Sequence, residues 1–393
     1  MKVLEGIRVV DFGRYIAGPY CAALLADYGA EVIRVDRVGG SEDRFIVPVT
    51  ERGEGALFLQ VNRNKRSLTL DLEAPEGREV VRRLVERADV IVANMPPRTL
   101  QALGLDYASL CRIRPDIILT ASTAFGTGED VRDRVGFDGV GQAYTGLVHL
   151  GGLPDHPMKA MVPVLDFGTA MACAMGTVLA LYERQRSGQG QEVAASLLAT
   201  GLNYSSGALI EESLLGLDRG ATLNRSPSYG PSDIFHCADG WIITQVIGQP
   251  MFKRWCRLVG RPEFFDDPLY ANDQLRGENG QSLSDCMSRW CAEQPREEAL
   301  RRLESARIPA GPVNSPRQVL DSATVRASGL VDWVDYPGAA GPVPMFSNPV
   351  ALSRTPPRNP GRPPLAGEHS DEILAELGYD GPAIADLRAR GVV

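Results

Sequence analysis

Strand and helix signals alternate through the first third of the chain, and that alternation limits the fold more than any other feature. Gly6–Asp11 (GIRVVD) reads as a buried strand, and Pro19–Tyr28 (PYCAALLADY) as a helix opened by Pro and stopped by Gly29. Glu31–Asp36 (EVIRVD) and Ser67–Leu72 (SLTLDL) read as the second and third strands. An amphipathic helix over Glu76–Ala88 follows, then strands at Asp89–Asn94 (DVIVAN) and Asp116–Ser122 (DIILTAS). Strands separated by helices predict a parallel sheet covered on both faces.

The pattern changes after Asp166. A long apolar helix runs to the stop Arg186-Ser187-Gly188, and a short strand, QEVAASL, follows it. The polar, Gly/Ser/Pro-rich stretch 203–231 reads as a linker. Asp233–Val246 reads as a hairpin turning at Asp239-Gly240, and helices are predicted near Met251–Val259, Ser282–Ala292 and Arg296–Ala306. The predicted division is a large α/β domain over 1–202 and 331–393, a small α+β domain over 232–322, and a return linker at 323–330. The Pro- and Arg-rich tail from Asn348 to Pro364 is expected to be extended, with a last helix capped by Ser370. The linker and the tail are both long for simple connections, which predicts that they wrap a partner in a homodimer.

The formal net charge of −8 argues against nucleic-acid and membrane partners, both of which need a basic footprint. Seven scattered cysteines without a CxxC pair fit a reducing, cytoplasmic setting. The start, MKVLEGIRVVDF, has no uninterrupted apolar stretch, so no leader is expected. The uncharged run Phe167–Tyr182 is short for a membrane span and reads as a buried helix. His149, His156, His236 and His369 are the only histidines, and none pairs with another His or Cys at metal-ligand spacing, so no metal site is expected. There is no GxSxG and no Walker loop.

Three segments could carry chemistry. DFGRYIAGP, Asp11–Pro19, joins the first strand to the first helix, where backbone amides can receive a phosphate or a carbonyl oxygen. Asp36 ends the second strand as in dinucleotide sites, but the glycine fingerprint is missing. Five cations, Arg34, Arg37, Arg63, Lys65 and Arg66, cluster near the second and third strands and suit a phosphorylated nucleotide or a solvated charged face. In PVLDFGTAMACAMG, Asp166 opens a helix with almost no other polar group, and the helix dipole is expected to favour its ionised form. It is either an ordinary N-cap or a nucleophilic carboxylate, and the motif alone leaves both open. The small residues Gly168, Ala170 and Ala172 would let a backbone or a ligand come close.

Together these pieces resemble the class III coenzyme A transferases, the family of formyl-CoA and carnitine CoA-transferases, from Leu4 to about Tyr379. The likeness rests on LEGIRVVDFGRYIAGPYCAALLADYGAEVIRVD, NRNKRSLTLDL, DVIVAN, GFDGVGQAYTGL, VPVLDFGTAMACAMGTVLALYERQRSGQGQEV and LAGEHSDEILAELGYD. It implies a large Rossmann-like domain with a smaller α+β domain, in a dimer whose two chains interlock. It implies Asp166 as the nucleophile that moves CoA from an acyl-CoA to a small carboxylic acid through a mixed anhydride and an enzyme thioester. Coenzyme A would be a substrate, and no cofactor would be permanently bound. By the same resemblance Ala17 would lie beside the thioester, Arg37 near the adenosine phosphate, Leu70 against the adenine and Asn94 near the pantetheine arm, with Phe137 a further CoA contact. Ile16 stands where formyl-CoA transferases carry Gln. The alternative of the same fold is a 2-methylacyl-CoA racemase, but Phe137 occupies the position at which such racemases carry a proton-transferring His.

Overall fold

The computed structural model describes residues 2–393, which form two compact units: 2–145 with 161–204 and 324–393, and 146–160 with 205–323. In the larger unit the elements run β1 (Arg8–Asp11), α1 (Ala17–Asp27), β2 (Glu31–Asp36), α2 (Ala56–Val61), β3 (Arg66–Thr69), α3 (Pro75–Arg87) and β4 (Val90–Ala93). Then come α4 (Pro97–Leu103), α5 (Tyr107–Ile113), β5 (Ile118–Thr123) and α6 (Asp138–Tyr144). The excursion 146–160 carries α7 (Leu147–Leu150), β6 (Gly152–Leu153) and β7 (His156–Pro157), and the larger unit resumes with α8 (Val164–Ser187) and β8 (Glu192–Ser196). The six strands pair in the order β3-β2-β1-β4-β5-β8, every pair parallel.

Side chains alternate between the two faces of this sheet. Val9, Val32, Val90 and Val92 pack into a core with α1 and the Ala170, Cys173, Ala180 side of α8. Val10, Ile33, Ile91 and Ala93 pack into a second core with Val80 and Leu84 of α3 and the C-terminal helices. A period-2 pattern that is apolar on both faces yields a sheet buried on both sides. The chain leaves β1 toward β2 and β3, then crosses back to β4 on the other flank. The strand order therefore reverses at β1 and β4, and a crevice opens beyond their carboxyl ends.

The smaller unit folds around Phe235, Trp255, Met287 and Leu303. Its antiparallel sheet is β9 (Ser232–Cys237), β10 (Gly240–Gln245) and β11 (Ala310–Pro312). Cys237 faces Gly240, so Ala238-Asp239 make the turn and Gly240 already belongs to the return strand.

Several expectations change. The predicted linker 203–231 is helical as far as Leu215, in a helix α9 (Leu197–Leu215) that begins directly after β8. Ser and Gly are weak helix formers, but propensity is a prior that context overrides. The predicted return linker 323–330 carries a short helix, Ala323–Ala327. The tail is irregular but lies against its own unit: Arg358 N donates to Asp27 O at 2.6 Å, Gly361 N to Asn64 Oδ1 at 2.8 Å, and Arg44 Nη1 to Pro364 O at 2.9 Å. Its length therefore no longer argues for a wrapped partner. Ser370 is the first helical residue rather than the cap, and its Oγ accepts from Thr69 N at 3.3 Å.

Candidate active site

An open cleft lies across the strand ends of the larger unit, and Ala17, Asn94, Phe137 and Asp166 all line it. The loop after β1 is pinned from three sides. Asp11 Oδ1 accepts from Gly13 N at 2.8 Å, and Asp43 Oδ2 accepts from Tyr15 N at 3.1 Å. Asn94 accepts from Arg14 N and donates to Arg14 O, both at 2.7 Å. Tyr15 sits at φ 61°, a left-handed backbone that costs a residue with a Cβ about 1 kcal/mol and persists only where neighbours hold it. A Cβ at Gly13 would stand 2.7 Å from both Asp11 Oδ1 and a Pro19 ring carbon, so this position requires Gly. The loop presents the start of α1, where the amides of Ala17 and Gly18 have no carbonyl one turn earlier to bind.

Beneath the loop lies a buried ion network. Lys65 Nζ donates to Asp11 Oδ2 at 2.8 Å, Pro19 O at 2.7 Å and Asn62 Oδ1 at 2.8 Å, which uses all three of its donors. Arg34 pairs with Asp36 and Asp43 at 2.9 Å, and Arg44 with Asp36 at 2.7 Å. Burial alone would raise the Asp36 carboxyl, but Arg34 and Arg44 outweigh it and hold it well below the usual range. Arg63 pairs with Asp27 at 2.5 Å, and Arg66 with Glu31 and Glu376. The expected nucleotide-facing cluster is thus corrected: of its five cations Arg34, Arg63 and Lys65 are buried, Arg66 is committed to carboxylates, and only Arg37 is open. The Arg37 side chain is 74% exposed and 3.7 Å from Glu42.

Asp166 is the third residue of α8, which has no side-chain cap of its own. The cap comes from Asp138, the first residue of α6. Its Oδ2 accepts from Leu165 N at 2.6 Å and Asp166 N at 3.0 Å, while its Oδ1 accepts from Gln142 Nε2. The free amides of the helix start are therefore given to Asp138, and the Asp166 carboxylate has no hydrogen-bond partner among the described residues. Burial first and the Asp138 charge second push its pKa up to about 7. The helix start was expected to favour the ionised form; burial outweighs it, and the amides that would have supported the charge are given to Asp138. Gly168 admits a close neighbour, but that neighbour is the Tyr204 hydroxyl, 2.1 Å from where a Cβ would stand. Ala170 is buried in the core.

The other expected contacts divide. Ala17 lines the cleft at the start of α1, and Phe137 lines it edge-on to Tyr15 at 5.7 Å. Asn94 lines it too, with its amide engaged by the Arg14 backbone. Leu70 does not reach it: at 1% exposure it belongs to the core under α3, because this face of β3 points away from the crevice. Arg37 lies outside the lining. Sequence reasoning passed over Asp138 as a cap, Arg14, and the arginines Arg132 and Arg134, which also line the cleft. The Asp that opens a helix in GFDGVGQ was the available signal for the first of these.

A doubly wound sheet whose cleft crosses the switch point, with an unpartnered carboxylate in its wall, defines an α/β enzyme class that works on a ligand laid over the strand ends. Within that class, the chain belongs to CoA-transferase family III, whose profile matches residues 4–370. It is 32% identical to a succinyl-CoA–D-citramalate CoA-transferase of Chloroflexus aurantiacus, over 100% of this chain and 98% of that one. It is 34% identical to a succinyl-CoA:mesaconate CoA-transferase of Haloarcula hispanica, over 96% and 97% of the two chains. Among solved structures, a CaiB/BaiF family protein from Brucella suis superposes with a TM-score of 0.84 at 30% identity, covering 96% of this chain and 99% of that one. The Chloroflexus and Haloarcula relatives are named for the expected activity, CoA transfer, and do not favour the racemase.

Proposed function

We propose that Asp166 is the nucleophile of CoA transfer between carboxylic acids; the observation that carries this is its unpartnered, raised carboxylate in the cleft wall. An ionised carboxylate that is desolvated and makes no hydrogen bond is more nucleophilic than a solvated one. Asp166 attacks the thioester carbonyl of acyl-CoA, the C–S bond breaks, and a mixed anhydride and CoA thiolate result. The thiolate attacks the aspartyl carbonyl and expels the donor acid, leaving a thioester between Asp166 and CoA. The acceptor carboxylate attacks that thioester, a second anhydride forms, and the thiolate takes the new acyl group and frees Asp166. The amides of Ala17 and Gly18 are donors available to a developing oxyanion. A racemase would need a second proton carrier, and Phe137 cannot be one.

The test is hydroxylamine trapping: acyl-CoA alone should convert Asp166 to a hydroxamate, visible by peptide mass spectrometry. An enzyme that transfers CoA without ever giving this adduct would refute the nucleophile. A pH profile provides a second check. Only the ionised carboxylate attacks, so kcat/KM should rise with pH along a limb near 7 and level off above it. Asp138→Asn should shift that limb downward while keeping most of the elevation, because burial is the larger cause. A limb that stays in the ordinary carboxylate range, below about pH 5, would contradict the assignment.

We further propose a cytoplasmic homodimer. All seven cysteines are free thiols, six of them buried, which supports a reducing compartment. The helix α8 is long and apolar enough to cross a membrane, yet its inner face packs on the sheet. Its outer face carries Met171 at 44% exposure, Met175 at 64%, Leu179 at 60% and Tyr182 at 61%, spaced as one helical stripe. An apolar stripe this continuous supports an interface with a second copy of the chain. Light scattering should give twice the chain mass, and Leu179→Glu should shift the population to monomer. A wild-type monomer at micromolar concentration would refute the dimer.

A further inference from the structure

The cleft follows the strand order. Its lining passes from Glu42 after β2, through Ala17 after β1 and Asn94 after β4, to Ser122–Ala124 at β5 and Leu197 after β8. Neighbouring strands lie about 4.8 Å apart, so the path from β2 to β5 is about 14 Å long. Nucleotide-bearing ligands of doubly wound sheets rest at the switch point, here β1 and β4. The free amides of α1 stand there too. Asp166 enters from α8, whose helix packs on both α1 and β5. The wall beyond it, toward β5, is left for the acyl group.

That wall carries Arg134. Its guanidinium lies 4.6 Å from the Phe125 ring and 5.2 Å from the Tyr144 ring, and its Nη2 donates to the Tyr144 hydroxyl. The rings hold the cation without neutralising it. It has no carboxylate partner among the described residues. The neighbouring charges are otherwise engaged: Asp133 takes Arg98 at 3.1 Å and Arg132 at 3.9 Å. Arg14, at the β1 end, spends its Nη1 on the carbonyls of Phe12, Gly13 and Val35. Arg134 is the cation of the acyl end that keeps a charge to give.

We infer that Arg134 reads the far end of the acyl group by pairing with a second carboxylate, so that the enzyme selects half-thioesters of dicarboxylic acids. The inference rests on the transferase reading with Asp166 as the attacking group. A planar guanidinium fixed by two rings offers a carboxylate two parallel N–H donors, and a terminal methyl offers nothing in return.

The experiment compares succinyl-CoA with butyryl-CoA, which differ at the far end of a four-carbon chain, in transfer assays and in calorimetric binding. Wild type should prefer succinyl-CoA in kcat/KM, and Arg134→Met should lower the succinyl-to-butyryl ratio by about 100-fold, mostly through KM. Arg134→Lys should restore part of the ratio, since it returns the charge without the fork. An unchanged ratio in Arg134→Met, or no succinyl preference in wild type, would overturn the subsite and leave the transferase reading standing. If wild type transfers CoA from neither donor and gives no hydroxylamine-sensitive adduct, the transferase reading falls instead. The binding ratio of the two thioesters to wild type and Arg134→Met then decides the subsite alone.

Discussion

Asp166→Asn should abolish CoA transfer and, at pH 8, make the protein more stable. The amide keeps the shape of the carboxylate but cannot form an anhydride, so the expected loss in kcat is at least about 1000-fold. The gain in stability follows from linkage. The carboxyl titrates near 7 in the folded protein, against 3.8 ordinarily. The fold therefore binds a proton that the unfolded chain has already released. As pH rises from about 4 to about 7 wild type loses stability, and above 7 the full penalty of a half-buried, unpartnered charge remains. The variant has no such penalty. Its advantage should be absent below about pH 4 and reach about 1–3 kcal/mol at pH 8, discounted for a site that opens to solvent. Thermal melts of both proteins at pH 4, 6 and 8 measure it. A variant less stable than wild type at pH 8 would show that Asp166 is a structural partner rather than a strained catalytic group.

Much of this architecture was legible in the sequence. Runs such as VIRVD and VIVA can bury both faces only as strands inside a covered sheet, and the helices between them force the strands to be parallel. What the sequence hid was which charges lie inside. NRNKRS reads as a solvated run because its partners are remote: Asp27 lies 36 residues from Arg63, and Asp11 lies 54 residues from Lys65. The ambiguity of Asp166 had the same origin. A helix-opening Asp is a cap or a reactive group depending on who holds the amides, and the holder, Asp138, is 28 residues away. The course of α9 was hidden differently, since NYSSG is polar and small and its helicity comes from context rather than propensity. Leu70 shows the reach of resemblance: position in a motif says which strand a residue ends, and the pleat decides which way it points.

The buried network sets the second large effect. Lys65→Met should cost about 3–5 kcal/mol, although methionine matches the stem of lysine and packs well. The lysine is not itself a strong source of stability: burial pulls its pKa down to about 8 even though Asp11 works the other way. The cost comes from what is left behind. Asp11 is fully buried, and only its Oδ1 has another donor, the Gly13 amide. Without Lys65 a carboxylate stays in the interior with one oxygen unpaired, and the Pro19 carbonyl loses a donor as well. Both atoms lie under the loop that shapes the cleft, so the folded fraction should also lose activity. The double variant Lys65→Met with Asp11→Asn separates the causes. The introduced asparagine can still accept from Gly13 N and carries no charge, so the pair should recover more than half of the loss. Urea unfolding reads both, with the midpoint falling in the single variant at an unchanged slope. A single variant within about 1 kcal/mol of wild type, or a double variant no better than the single, would mean that Asp11 finds water or another donor and that the network does not hold the loop.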